Sequence, residues 1–155
     1  MLFGNSAETL FMKRLKFLTP VFALAFLFGC ETIQKATNST GTAFSLNGQW
    51  ELVSNSPENT LIGSRVTVSP FIAEGRFSIL ANNTQCYRET DVKWKSIATD
   101  NAGGFTLDNL LSNCAGAAPT YQRATATIAA ANEVRISGKN IQGQDNVQIW
   151  RKVTQ

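Results

Sequence analysis

The chain contains no histidine in its 155 residues. This excludes every Ser-His and Cys-His catalytic unit and removes the usual ligand for zinc, copper and iron. No phosphate loop, cofactor fingerprint or Cys-x-x-Cys spacing is present, so neither a metal nor a cofactor is expected. Strong charge of either sign is also missing. With 14 basic and 11 acidic residues the net charge is +3, too mild to argue for nucleic acid. There is no apolar run long enough to cross a bilayer. The longest, Phe17 to Phe28, covers about 18 Å as helix, against a hydrocarbon core of about 30 Å. What is present is an ordinary hydrophobic share of 43%, too high for disorder and sufficient for one small domain.

The apolar run sits in an informative context. Met12-Lys13-Arg14-Leu15-Lys16 precedes it and Leu27-Phe28-Gly29-Cys30 ends it. A cationic start, a short apolar stretch and a small residue before the cut predict a secretory signal peptide over residues 1–29. Residues 1–11 place Glu8 and polar residues ahead of the cations, so Met12 is the expected true start. Leu27 and the Gly29-Cys30 pair resemble the bacterial lipobox, although Phe28 departs from its small-residue preference. The resemblance implies cleavage between Gly29 and Cys30 and acylation of Cys30 on both its sulfur and its new amine. Glu31 in the next position resembles signals permissive for the outer membrane. Chains of this kind anchor stably, since each buried methylene contributes about 0.8 kcal/mol.

Residues 30–45 are rich in Thr, Ser, Asn and Gly and are expected to form a flexible tether. The sequons at Asn38 and Asn82 are read as loop composition. The domain is expected over residues 46–155. Its apolar segments are short, alternate with polar residues and are separated by turn residues, as in Gln49–Val53, Arg65–Val68, Arg76–Leu80, Val92–Lys95, Gly104–Leu107, Arg123–Ile128, Glu133–Ser137 and Asn146–Val153. The alanines near 123–131 suit a helix, but Thr recurs at every second position, which favours a strand. The expected fold is all-β: a small antiparallel barrel of about eight strands, which leaves no open edge. Lys93 and Lys95 flank Trp94, and strict alternation places both on the wet face.

With Cys30 assigned to lipid, Cys86 and Cys114 remain. In an exported domain they are expected to form a disulfide, the alternative being a reactive or metal-binding pair. Gly48-Gln49-Trp50 at the domain start resembles the opening of lipocalins and related barrels. That resemblance implies that Trp50 closes one end of the barrel against a cation from the last strand, here Arg151. Leu46-Asn47-Gly48-Gln49-Trp50, together with Cys86 and the segment 105–114 ending in Cys114, is also similar to the META-domain family of small bacterial envelope proteins. Gln85-Cys86-Tyr87 departs from that family's Gly-Cys-Asn.

Glu89, Asp91 and Asp108 are the carboxylates that could serve catalysis, but nothing groups them in sequence, and no enzyme is expected. Ala124, Ala126 and Ala130, on one face of a strand, could open a shallow apolar pocket; the competing reading is close packing against Trp94 or Phe105. The expected role is therefore a lipid-anchored envelope protein, structural or stress-related, acting through protein contacts. The alternatives are a lipocalin-like carrier of a small apolar ligand and an inhibitor of secreted peptidases. The partners implied are the membrane, through Cys30, and an envelope protein or apolar ligand.

Overall fold

A computed structural model describes residues 35–37, 43–69 and 71–154. The signal segment, the Met12 start, Gly29, Cys30 and Asn38 lie outside them. Ten strands follow one another: β1 (Lys35–Thr37), β2 (Ala43–Ser45), β3 (Gly48–Ser56), β4 (Arg65–Val68), β5 (Gly75–Ile79), β6 (Val92–Thr99), β7 (Phe105–Ser112), β8 (Thr120–Ala130), β9 (Glu133–Lys139) and β10 (Asp145–Lys152). β3 to β10 form a closed eight-stranded barrel in which each strand pairs antiparallel with its neighbour in the chain and β10 closes onto β3. The Ala/Thr segment is strand, as its two-residue Thr period predicts. Alternation decides which side chains face inward. In β10, for example, Asn146, Gln148 and Trp150 are buried while the residues between them are not.

The strand directions define two ends. One, the entry end, holds the start of β3, the short β8–β9 turn and the end of β10. The other, the far mouth, holds the loops β3–β4, β5–β6, β7–β8 and β9–β10. The interior is graded along this axis. Trp50, Phe105, Leu46 and Phe44 crowd the entry end, with Phe44 6.0 Å from Trp50 and 6.3 Å from Phe105 between ring centres. Trp94 and Trp150 meet edge-to-face at 4.9 Å. Toward the far mouth the buried side chains turn polar: Asn55, Lys93, Asn109, Asn146 and Gln148.

The expected tether is partly structured. β1 and β2 pair as a separate two-stranded sheet, Lys35 opposite Ser45 and Thr37 opposite Ala43. Phe44 and Leu46 are buried in the core, and the Leu46 carbonyl accepts a 2.7 Å hydrogen bond from Trp50 Nε1. The domain therefore begins before residue 46: a closed barrel needs a plug at its entry end, and the residues leading into β3 supply it. Replacing Phe44 by Ala is expected to cost about 3 kcal/mol, read by urea unfolding, as for other buried aromatic truncations. A neutral substitution would mean that this segment lies outside the cooperative unit.

Candidate functional site

The barrel closure at the entry end differs from expectation in one residue. Gly48 has φ +111°, a left-handed backbone that favours glycine, and a Cβ there would lie 3.3 Å from Lys152 Cε. The cation over Trp50 is Lys152, 5.6 Å from the ring centre. Arg151 points outward and pairs with Glu133 at 3.1 Å. The reason is parity: Trp150 faces the core, so Arg151 faces solvent and Lys152 turns back toward the barrel end.

The alanines do not make a pocket. Ala124 and Ala126 are buried in the core, and a Cβ on Gly138 would come within 3.1 Å of Ala124 Cβ. Ala130 is exposed, beyond a register shift between Ile128 and Ala130 that breaks the shared face. The carboxylates also stay apart. Asp108 pairs with Arg123 at 3.3 Å on the barrel wall, the Asp91 carboxylate accepts from the Arg88 backbone N–H at 2.9 Å, and Glu89 is exposed.

The chemistry gathers at the far mouth, around a residue expected on the surface. Lys93 is 1% exposed. Its inward turn comes from a bulge: Gly75 lies opposite Trp94 and Arg76 opposite Val92, so Lys93 is the extra residue on β6. Lys93 and Trp94, neighbours in sequence, are thus both buried. Gly75 makes this possible, because a Cβ there would lie 2.8 Å from both Trp94 Cε3 and Val66 Cγ1. Lys95, further along β6, obeys alternation and lies over the Tyr121 ring at 3.7 Å.

Lys93 Nζ donates to the Leu110 carbonyl at 2.7 Å, and no carboxylate forms an ion pair with it among the described residues. Two ring faces cover it, Tyr87 at 5.1 Å and Phe77 at 5.8 Å. The Tyr87 hydroxyl donates to the carbonyls of Leu110, at 3.2 Å, and Leu111, at 2.8 Å. Burial strips water from the ammonium and lowers the Lys93 pKa from 10.5 to about 7, with the Glu58 charge acting in the opposite direction. Burial pushes the Tyr87 phenol well above its usual value, and the charges of Glu58 and Asp91 add to the shift.

Around this amine the polar side chains are mostly satisfied. Asn146 Nδ2 donates to Asn55 Oδ1 at 3.0 Å and to the Ser56 carbonyl at 3.1 Å, and Gln148 Oε1 accepts from Trp150 Nε1 at 3.2 Å. Asn109 Oδ1 is buried without a partner. A cavity of about 10 Å³ lies among Lys93, Tyr87, Asn109 and Gln148, with Glu58 and Ile141 also lining it. That is room for one water molecule and not for an organic ligand.

Cys86 and Cys114 are joined in a disulfide, as the cysteine count predicts, across 28 residues. It ties the β5–β6 loop, in which Tyr87 follows Cys86, to the segment after β7. Sequence reasoning missed the Lys93 site because the bulge depends on which residue of β5 faces β6. The only local signal was the adjacency of Tyr87 to a paired cysteine.

The chain matches no known protein family, curated protein or solved structure.

Lys93 gives the fold a pH dependence. The folded protein releases this proton near pH 7, whereas the unfolded chain holds it to about pH 10.5. Between those values the unfolded state binds more protons, so stability rises with pH; below about pH 7 the full burial cost remains. The unfolding free energy is expected to increase by about 2–3 kcal/mol between about pH 7 and pH 9.5. Lys93→Met should flatten the rise without lowering neutral-pH stability. Chemical denaturation of both proteins across this range measures the difference, and parallel profiles would contradict it.

Proposed function

We propose that the protein is a lipid-anchored component of a bacterial envelope, acylated at Cys30 and facing the periplasm from the outer membrane. Its barrel acts through protein contacts and not by catalysis. The observation that carries this reading is the opposition of the two ends. The chain enters through β2 and Leu46 at one end, and the long loops lie at the other. An anchor on Cys30 would join the barrel through the chain that leads into its entry end, the end opposite the far mouth. That mouth is stiffened by the disulfide and presents Ile141, which is 53% exposed. Such a surface suits a protein partner.

The up-and-down order of the strands, with Gly48, Trp50 and a terminal cation at one end, supports the lipocalin-like likeness in architecture. A carrier role is less favoured. Trp50, Trp94 and Trp150 are fully buried in the space that an apolar ligand would need.

Two measurements test the proposal. Metabolic labelling with a fatty acid should mark the protein, and Cys30→Ser should abolish the label and move the domain from membrane to soluble fractions. Retention of the label in that variant would refute acylation at Cys30. A photo-cross-linking residue at position 141 should yield a discrete adduct in intact cells, and one at the exposed wall position 127 should not. Equal yields would contradict contact through the far mouth.

A further inference from the structure

Lys93 is an unusual residue to keep inside a barrel. A buried apolar side chain of similar length would avoid the desolvation penalty, and among the described residues no buried carboxylate compensates for it. The amine is held against one carbonyl, Leu110, at 2.7 Å. While the cover is closed, burial favours the uncharged form; the nitrogen lone pair of a lysine is the nucleophile in amine chemistry, and opening the cover would return water to it together with any reactant. Access is what it lacks, because Tyr87 and Phe77 cover it.

The cover is held by a covalent link that solvent can reach. Tyr87 belongs to the β5–β6 loop, residues 80–91, and Cys86 precedes it directly. Cys86 is exposed and Cys114 half-buried. The disulfide and the two hydrogen bonds from the Tyr87 hydroxyl fasten the loop to the same place, the end of β7 and the residues just after it. The loop is bracketed by Asn82 and Thr90, both with positive φ, at 49° and 73°. Inside the bracket its other hydrogen bonds are local, such as Asn83 Nδ2 to the Tyr87 carbonyl at 2.9 Å, and the remaining long-range tie is the packing of the buried Tyr87 ring against Phe77 at 5.4 Å between ring centres.

We propose that Lys93 is a masked amine nucleophile that takes small aldehydes once the Cys86–Cys114 disulfide is reduced and the loop over it lifts. A dithiol reductant supplies two electrons and two protons; Cys86 and Cys114 become thiols and the reductant becomes a disulfide. The Lys93 Nζ lone pair then attacks the aldehyde carbon. Nζ gives up its two hydrogens as the carbonyl oxygen takes up two protons and leaves as water, and a carbon–nitrogen double bond remains. No further redox partner is needed. The oxidised protein is unreactive at this site because the cavity of about 10 Å³ admits water alone.

The test uses the full chain with propanal and cyanoborohydride, which traps the imine as a stable secondary amine read by peptide mass spectrometry. Lys139, with its side chain 44% exposed, serves as the internal reference. Treatment with dithiothreitol should raise modification of Lys93 relative to Lys139 by about tenfold or more, since the cross-link restrains the opening of its loop. Hydrogen exchange run in parallel should show β3, β9 and β10 still protected. The double variant Cys86→Ser/Cys114→Ser should react without reductant, and Tyr87→Ala should react while the disulfide is intact. Lys93 modification unchanged by reduction would overturn the proposal. So would modification that rises only with loss of protection throughout the barrel, because the disulfide would then hold the fold and not a latch.

Discussion

A sheet closed on itself into eight strands has an interior that side chains alone must fill, and this requirement governs the whole domain. Most inward positions are occupied by large apolar groups or by polar groups with hydrogen-bond partners, with small residues such as Ala124 and Ala126 where neighbours pack closely and Asn109 Oδ1 left unpartnered. Trp50, Trp94 and Trp150 supply most of the bulk near the middle and the entry end. Gly75 is the complement to that bulk: with no side chain of its own, it leaves the space that the Trp94 ring takes. At the entry end the strands run out before the interior is sealed, and Phe44 and Leu46 complete the seal from outside the barrel sequence. At the far mouth the solution is polar, with Asn146 bonded to Asn55 and Gln148 bonded to Trp150.

The Leu110 carbonyl shows how tightly this polar layer is drawn. It accepts from both Lys93 and Tyr87, so one backbone oxygen on β7 organises a bulged residue of β6 and the loop that precedes it. The bulge, the aromatic cover and the disulfide are therefore parts of one local arrangement. Changing any of them changes the environment of the same amine.

Much of the architecture was legible because it depends on residues close in sequence. Two-residue alternation marked Arg65–Val68 and Glu133–Ser137, and Gly or Asn marked the turns between strands. Cys86 and Cys114 were legible by counting. Parity along the last strand would also have given Lys152 in place of Arg151, had Trp150 been taken as the inward reference. Lys93 was not legible. Lys93-Trp94-Lys95 reads as wet, dry, wet, and only the offset between Gly75–Arg76 and Val92–Trp94 turns the first lysine inward. That offset joins two strands across a long loop and has no local signature. The burial of Phe44 was hidden for a similar reason: its setting among Thr and Ser says tether, and its partners Trp50 and Phe105 are supplied by the folded barrel.

The seam between β3 and β10 has a consequence for how the chain can be delivered. Asn146 and Asn55, which meet across it, are 91 positions apart. Without β10, the seven remaining strands would leave open edges on β3 and β9, each with a row of unpaired backbone groups. Until β10 has been synthesised, β3 has no second partner. The Trp50 layer, the Asn55 bond and the sealed interior all wait for the C-terminal strand. Contacts so distant in sequence form slowly, so the nascent domain passes through a period in which its strands are made but its ring is open.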